Sequence, residues 1–176
     1  FTLADTVRAR SYSDTNQECH GWIGLRFQTE PCGPSNDIQL HVRLLDDSNS
    51  RQAEALGILG VNLVYAAFNM RHSMTELLQS LLDDLSRKRV ELDMIDFTGP
   101  AFASLEYQDR LVALKLVRLG LADAALFGAD GEIWQASDVL HNKPVFLKRG
   151  SFDPITKLNL DMLERAEAAF HADFGD

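Results

Sequence analysis

Ile38-Gln39-Leu40-His41-Val42-Arg43-Leu44 sets four aliphatic side chains against three polar ones in strict alternation. A period of two places the aliphatic set on one face of a β-strand and Gln39, His41 and Arg43 on the other. Working outward, Trp22 to Gln28 alternates in the same way, with Ile23, Leu25 and Phe27 on one face. Thr6 to Tyr12 reads as a further short strand. Glu30 to Asn36, with two prolines and a glycine, is a turn. Short turns between half-buried strands predict an antiparallel meander at the start of the chain.

The pattern then changes. Ser48-Asn49-Ser50 is an N-cap cluster, and Gln52 to Gly60 reads as helix. Val61 to Phe68 is β-branched and aromatic, consistent with a strand or with more helix. Ser73 and Glu76 form a capping box ahead of a helix expected over Met74 to Arg87. Val90, Leu92 and Met94 alternate with Glu91 and Asp93, which predicts another strand. Tyr107 to Leu119 is amphipathic and stops at Gly120, with Leu111, Leu114, Val117 and Leu121 expected in the core. Gly128-Ala129-Asp130-Gly131 separates Ala122–Phe127 from Glu132–Gln135 as a hairpin turn. The order Leu44-Leu45-Asp46, Ala55 to Leu59, Ala66-Ala67 is echoed by Met94-Ile95-Asp96, Ala113 to Val117, Ala124-Ala125. That echo is either a duplicated β-α-β unit or spacing common to any two such units. The expected fold is α/β or α+β, a mixed sheet with packed helices and right-handed crossovers for any parallel pair.

A length of 176 residues, 45% hydrophobic and 24% charged, is that of an ordinary globular chain. A net charge of −9 argues against a nucleic-acid partner, which needs clustered Lys and Arg. It does not exclude a small phosphorylated ligand held by backbone groups. No run has membrane-spanning length or a signal-peptide layout, so the expectation is a cytoplasmic protein without a membrane partner. The first residue is Phe1 rather than Met, and a piece of a longer chain is expected.

Near the C-terminal end, Pro144 to Leu147 is apolar and of strand length, Gly150 allows a tight turn, and Leu160, Leu163, Ala166 and Phe170 recur at helical spacing. A helix entered through Gly150-Ser151-Phe152-Asp153-Pro154-Ile155-Thr156 aims free N–H groups and a positive dipole end at the turn, which favours phosphate. The predicted division is therefore residues 1–143 as a mixed α/β domain and 144–176 as a strand-turn-helix, or both as one domain. An apolar strand and helix face at this end predicts a homo-oligomer, or cover by the rest of a longer chain.

This segment resembles the nucleotidyltransferase superfamily that includes pantetheine-phosphate and nicotinate-nucleotide adenylyltransferases. The resemblance runs on into Leu160-Asp161-Met162-Leu163-Glu164-Arg165-Ala166, similar to the family's first helix. It implies a nucleotide ligand bound by Gly150, Ser151, Phe152, Thr156, Lys157 and Asn159, with ATP and Mg as cofactors of a full-length parent. More broadly, Glu18 to Gly24, Gln52 to Phe68 and Ser137 to Leu163 resemble a group of long bacterial proteins often labelled nicotinate-nucleotide adenylyltransferase. The sequence departs from the family at Leu158-Asn159, where Gly-His is usual. Asn159 offers a neutral hydrogen bond but no cation, and only Lys157 restores charge. The family's later Ser-Ser/Thr-x-x-Arg motif is absent. Adenylyl transfer by this chain alone is not expected, and the catalytic residues are unknown.

Two functions are weighed: a nucleotide- or phosphate-handling module of a larger enzyme, and a non-catalytic interaction or oligomerisation domain whose turn motif is vestigial. Cys19, His20 and Cys32 lack zinc spacing, so no metal is expected. Cys19 and His20, adjacent on a strand, point apart. His41 is read as lying on a solvent-exposed face. Asp46, Asp47 and Asp96 end strands, where α/β sheets bind ligands, but the first two also suit the turn before a helix cap. Lys148 and Arg149 precede the glycine turn.

Overall fold

The computed structural model describes residues 1–8, 19–140, 143–150 and 152–174, which form two units, Phe1–Gln135 and Ala136–Asp176. In the first unit β1 (Thr2–Arg8), β2 (Cys19–Gln28), β3 (Ser35–Leu44) and β4 (Val90–Thr98) make one sheet in that order. Every neighbouring pair is antiparallel. Helices α1 (Asn49–Asn69) and α2 (Met74–Ser80) connect β3 to β4, and α3 (Asp109–Arg118) follows β4. A small hairpin, β5 (Leu126–Phe127) with β6 (Ile133–Trp134), turns at Gly128 to Gly131 as the sequence predicts.

The alternation read in the sequence decides which face is buried. Ile23, Leu25 and Phe27 of β2 and Ile38, Leu40, Val42 and Leu44 of β3 turn to one face, under the helices. Against them α1 packs Ala55, Leu59, Leu63, Ala66 and Ala67, all fully buried at helical spacing. Burying each of the leucines is worth roughly 1.5–3 kcal/mol. Gly60 brings α1 close to β1, because a Cβ there would meet the Leu3 side chain at 3.1 Å. The core ends in an aromatic cluster in which Phe102 contacts Phe27, Phe97 and Tyr107.

The mixed α and β content is as expected, and β3 and β4 are joined in one sheet. Details differ. In place of β-α-β units, two helices with no strand between them separate β3 from β4, so the chain returns antiparallel and no parallel pair occurs among the described residues. Val61 to Phe68, a strand if the echo were a duplication, is the second half of α1. Ser48 and Ser73 accept from the N–H groups of Arg51 and Glu76 as caps, but α2 stops at Ser80 rather than Arg87. In α3 the buried positions are Val112, Ala113 and Leu116, while Leu111 and Leu114 are exposed. The aliphatic run is wide enough to offer two adjacent stripes, and the sheet contact selects the second.

In the second unit a short helical turn, α4 (Ala136–Val139), precedes residues 143–150, and α5 spans Lys157–Phe174. Among the described residues Pro144–Leu147 form no strand, because no second strand is present in this unit to complete a ladder. Phe146 packs near Phe170 with ring centroids 6.1 Å apart. No residue of α5 is buried, although Leu158, Leu160, Met162, Leu163 and Phe174 are apolar.

Burial, with Glu106 adding to it, pushes the Tyr107 phenol up to about 12, while its hydroxyl donates to the Arg71 carbonyl at 2.7 Å. An acid whose folded pKa is raised stabilises the fold below its ordinary value, near 10 for a phenol, and loses that contribution as pH rises toward the folded value. We expect Tyr107→Phe to be less stable than the parent at neutral pH, from the lost hydrogen bond. Urea midpoints should show the gap closing between pH 10 and about 12. A gap constant through that window would exclude this role for the phenol.

Candidate functional site

The face of the sheet opposite the helices carries the polar half of each alternating strand. The register lines these residues up in rows across the strands. One row is Thr6, Trp22, His41, Met94; the next is Ala4, Gly24, Gln39, Asp96; the third is Thr2, Arg26, Asp37, Thr98. The pairing of β3 with β4 shifts at His41/Val42, where Met94 opposes His41 but Leu92 opposes Val42. Asp93 is thus the extra residue of a β-bulge. The bulge changes the inward parity of β4 from Val90 and Leu92 to Ile95 and Phe97.

His41 is the hub of the first row and is wholly buried, contrary to the exposed position expected from its polar strand face. Its Nδ1 lies 2.6 Å from Asp93 Oδ1. A carboxylate can only accept, so Nδ1 donates its N–H to Asp93. Gln135, at the end of β6, donates its amide to Nε2 at 2.8 Å. His20 Nδ1 approaches the same Nε2 at 3.0 Å. Trp22 meets the His41 ring in a T-shaped contact with centroids 4.9 Å apart. An unpaired imidazole here would be costly to bury, and these partners remove that cost. Chemically, an Asp–His pair of this form can take a proton at Nε2 from a hydroxyl, a thiol or water. Here the Gln135 amide already donates to Nε2, and His20 Nδ1 stands 3.0 Å from it.

The second row makes a floor. Gly24 and Ala4 raise no side chain of any length, and a cleft of about 490 Å³ opens over them. Trp22 forms one side. On the other, Arg26 grips Asp37 with two hydrogen bonds, Nε to Oδ1 at 2.7 Å and Nη2 to Oδ2 at 3.0 Å. The Arg26 hydrogen bond holds the Asp37 carboxyl below its ordinary range. Gln39 is exposed beside Gly24. Asp96 ends the row, and burial followed by repulsion from Asp109 pushes its carboxyl up. A second cleft, about 770 Å³, lies between β1 and α1 and is lined by Leu3, Leu56, Val61, Val64, Tyr65 and Phe68.

The residues singled out in the sequence fall in several places. Cys19 is buried in the core, its thiol donating to the Arg8 carbonyl at 3.1 Å, while His20 lies on the opposite face. Cys32 is in the β2–β3 turn, about 30 Å from Cys19 by the length of β2. No group of three or more metal-ligating side chains gathers among the described residues. Asp46 is structural: it accepts from Arg89 Nε at 2.7 Å, and Arg89 also donates to Glu54 and the Arg51 carbonyl, tying β3 and the start of β4 to α1.

At the C-terminal turn, Thr156 caps α5 by accepting from the Asn159 N–H at 3.3 Å, and Lys157 is the first helical residue. Lys148 donates to the Asn159 carbonyl and stands 5.7 Å from the Phe152 ring centroid. Gly150 packs near Phe152. Ser151 lies outside the described residues. Asp93, Gln135 and Trp22 were not singled out as site residues. The signal for Asp93 was present: Val90 and Leu92 continue into Ile95 and Phe97 only if one residue is skipped. Gln135 reaches His41 across 94 positions, a contact no local pattern announces.

Removing the Asp93 carboxylate leaves the buried His41 N–H without its acceptor. We expect Asp93→Ala to lose about 1–3 kcal/mol of stability. Asp93→Asn keeps an acceptor oxygen and should lose less. Equal urea midpoints for Asp93→Ala and the parent would show that the hydrogen bond is not part of the folded core. Set beside known proteins, the chain matches no family model, no curated protein and no solved structure.

Proposed function

We propose that this chain is a non-catalytic binding module that works through the open face of its sheet. The observation that carries this reading is the state of His41. Its Nε2 already receives the Gln135 amide at 2.8 Å, with His20 Nδ1 only 3.0 Å away, so the buried imidazole is committed to protein partners. The network therefore serves to fix Trp22 and His20 on a rigid platform, which is what recognition needs. Amide-shift mapping of the full chain against saccharides, ATP, palmitate and a short peptide tests the reading. Shifts should gather at Ala4, Trp22, Gly24 and Gln39. Shifts confined to the α1 side, or none with any probe, would overturn it.

A second reading follows the resemblance at the C-terminal turn: a phosphate-bearing ligand, of nucleotide type, placed at the start of α5. Its specific support is that Lys148 and Lys157 both lie at that end of the helix, with Thr156 at the cap. The chain would then be a nucleotide-handling part of a larger assembly, and Asn159, standing in for a histidine, gives no cation for phosphoryl transfer. Titration with ATP and nicotinate mononucleotide should show binding that Lys157→Ala weakens by about tenfold, or roughly 1.4 kcal/mol. Adenylyl transfer should be undetectable. Binding indifferent to Lys157→Ala, or turnover by the chain alone, would overturn this reading.

A further inference from the structure

We propose that the cleft over Gly24 and Ala4 binds a neutral saccharide, with one sugar ring laid against Trp22 and its hydroxyls held by Gln39, Arg26 and Asp37. The inference rests on the open-face reading and gives that face its ligand class.

The shape comes first. Trp22 and Arg26 lie four residues apart on one face of β2, about 13 Å along the strand. Between them Gly24 leaves the floor bare, and a Cβ built there would approach nothing nearer than the Ala4 carbonyl at 4.0 Å. Trp22 is held by its contact with the buried His41, so its ring is a fixed wall and little side-chain freedom remains to be lost on binding.

The chemistry of the other side selects the ligand. The Arg26–Asp37 pair engages Nε and Nη2 with both carboxylate oxygens and leaves Nη1 and further lone pairs for a ligand. Gln39 adds a donor and an acceptor. The cleft therefore presents closely spaced donors and acceptors beside an apolar ring, with its charges cancelled within the pair. That suits a ring with C–H groups on one face and hydroxyls around its edge. A phosphate ester fits poorly, because Arg26 is already neutralised and the chain carries −9 overall. An acyl chain has a better place in the apolar cleft between β1 and α1. An added peptide strand would pair along the outer edge of β1, in the plane of the sheet, whereas the cleft lies over the sheet face above β2, which is bonded on both sides by β1 and β3.

The test uses the intrinsic fluorescence of Trp22 in the full chain, with Trp134→Phe removing the only other tryptophan. Cellohexaose, maltohexaose and chitohexaose are titrated in turn, with ATP and palmitate alongside. At least one saccharide should give a saturable change. Gly24→Leu, which fills the cleft, and Arg26→Ala, whose side chain is 69% exposed and so dispensable to the core, should each weaken it about tenfold or more while thermal unfolding stays cooperative. No saccharide response, or undiminished binding in both variants, overturns the proposal. A response at Trp22 to ATP or palmitate alone would overturn the saccharide and leave the open face as a binding surface. Silence from every probe would remove both.

Discussion

A histidine shut off from water must find protein partners for both ring nitrogens, and in this chain that demand joins four separate pieces of backbone. His41 belongs to β3, Asp93 to the bulge of β4, His20 to β2 and Gln135 to the end of the small hairpin. The aliphatic face of the sheet would pack under the helices without any of them. The polar face is different: Asp93 needs the bulge to reach His41, and Gln135 needs the hairpin folded back toward the sheet. The aliphatic core thus determines that there is a sheet, and the imidazole determines what stands on its other side.

This division explains what was legible in the sequence. Alternation of period two exposed β2 and β3 because one face of each is apolar, and Ser48 and Ser73 announced their helices through local hydrogen bonds that need no distant partner. Local patterns failed where a long-range contact made the decision. Residues 61–68 have strand-like composition but sit on a helix whose Leu63, Ala66 and Ala67 meet the core. Pro144–Leu147 have the composition of a strand and lack the neighbour that would make them one. His41 looked like a surface residue because its strand face is polar. The face is polar for the opposite reason as well: it contains a buried network in which bonded partners lie up to 94 positions apart.

The two units place different kinds of chemistry on one chain. The sheet unit holds its polar groups rigidly, with the ion pairs of Arg26 and Arg89 each making two or more hydrogen bonds. The C-terminal unit carries lysines and a capped helix on exposed backbone, and its apolar helical side chains stay in contact with solvent. Rigid, satisfied polar groups suit selective recognition. An amphipathic helix without buried residues suits attachment to something else.

The β-bulge separates what the ladder requires from what the polar face requires. Without Asp93, Leu92 and Met94 would become neighbours and would pair with Val42 and His41 in unbroken order, so a sheet with a β4 one residue shorter is complete in itself. The carboxylate that anchors the imidazole therefore occupies the one position in the strand that the ladder does not need. Loss of that one residue would leave the pairing of the ladder unbroken while taking away the anchor of the polar platform.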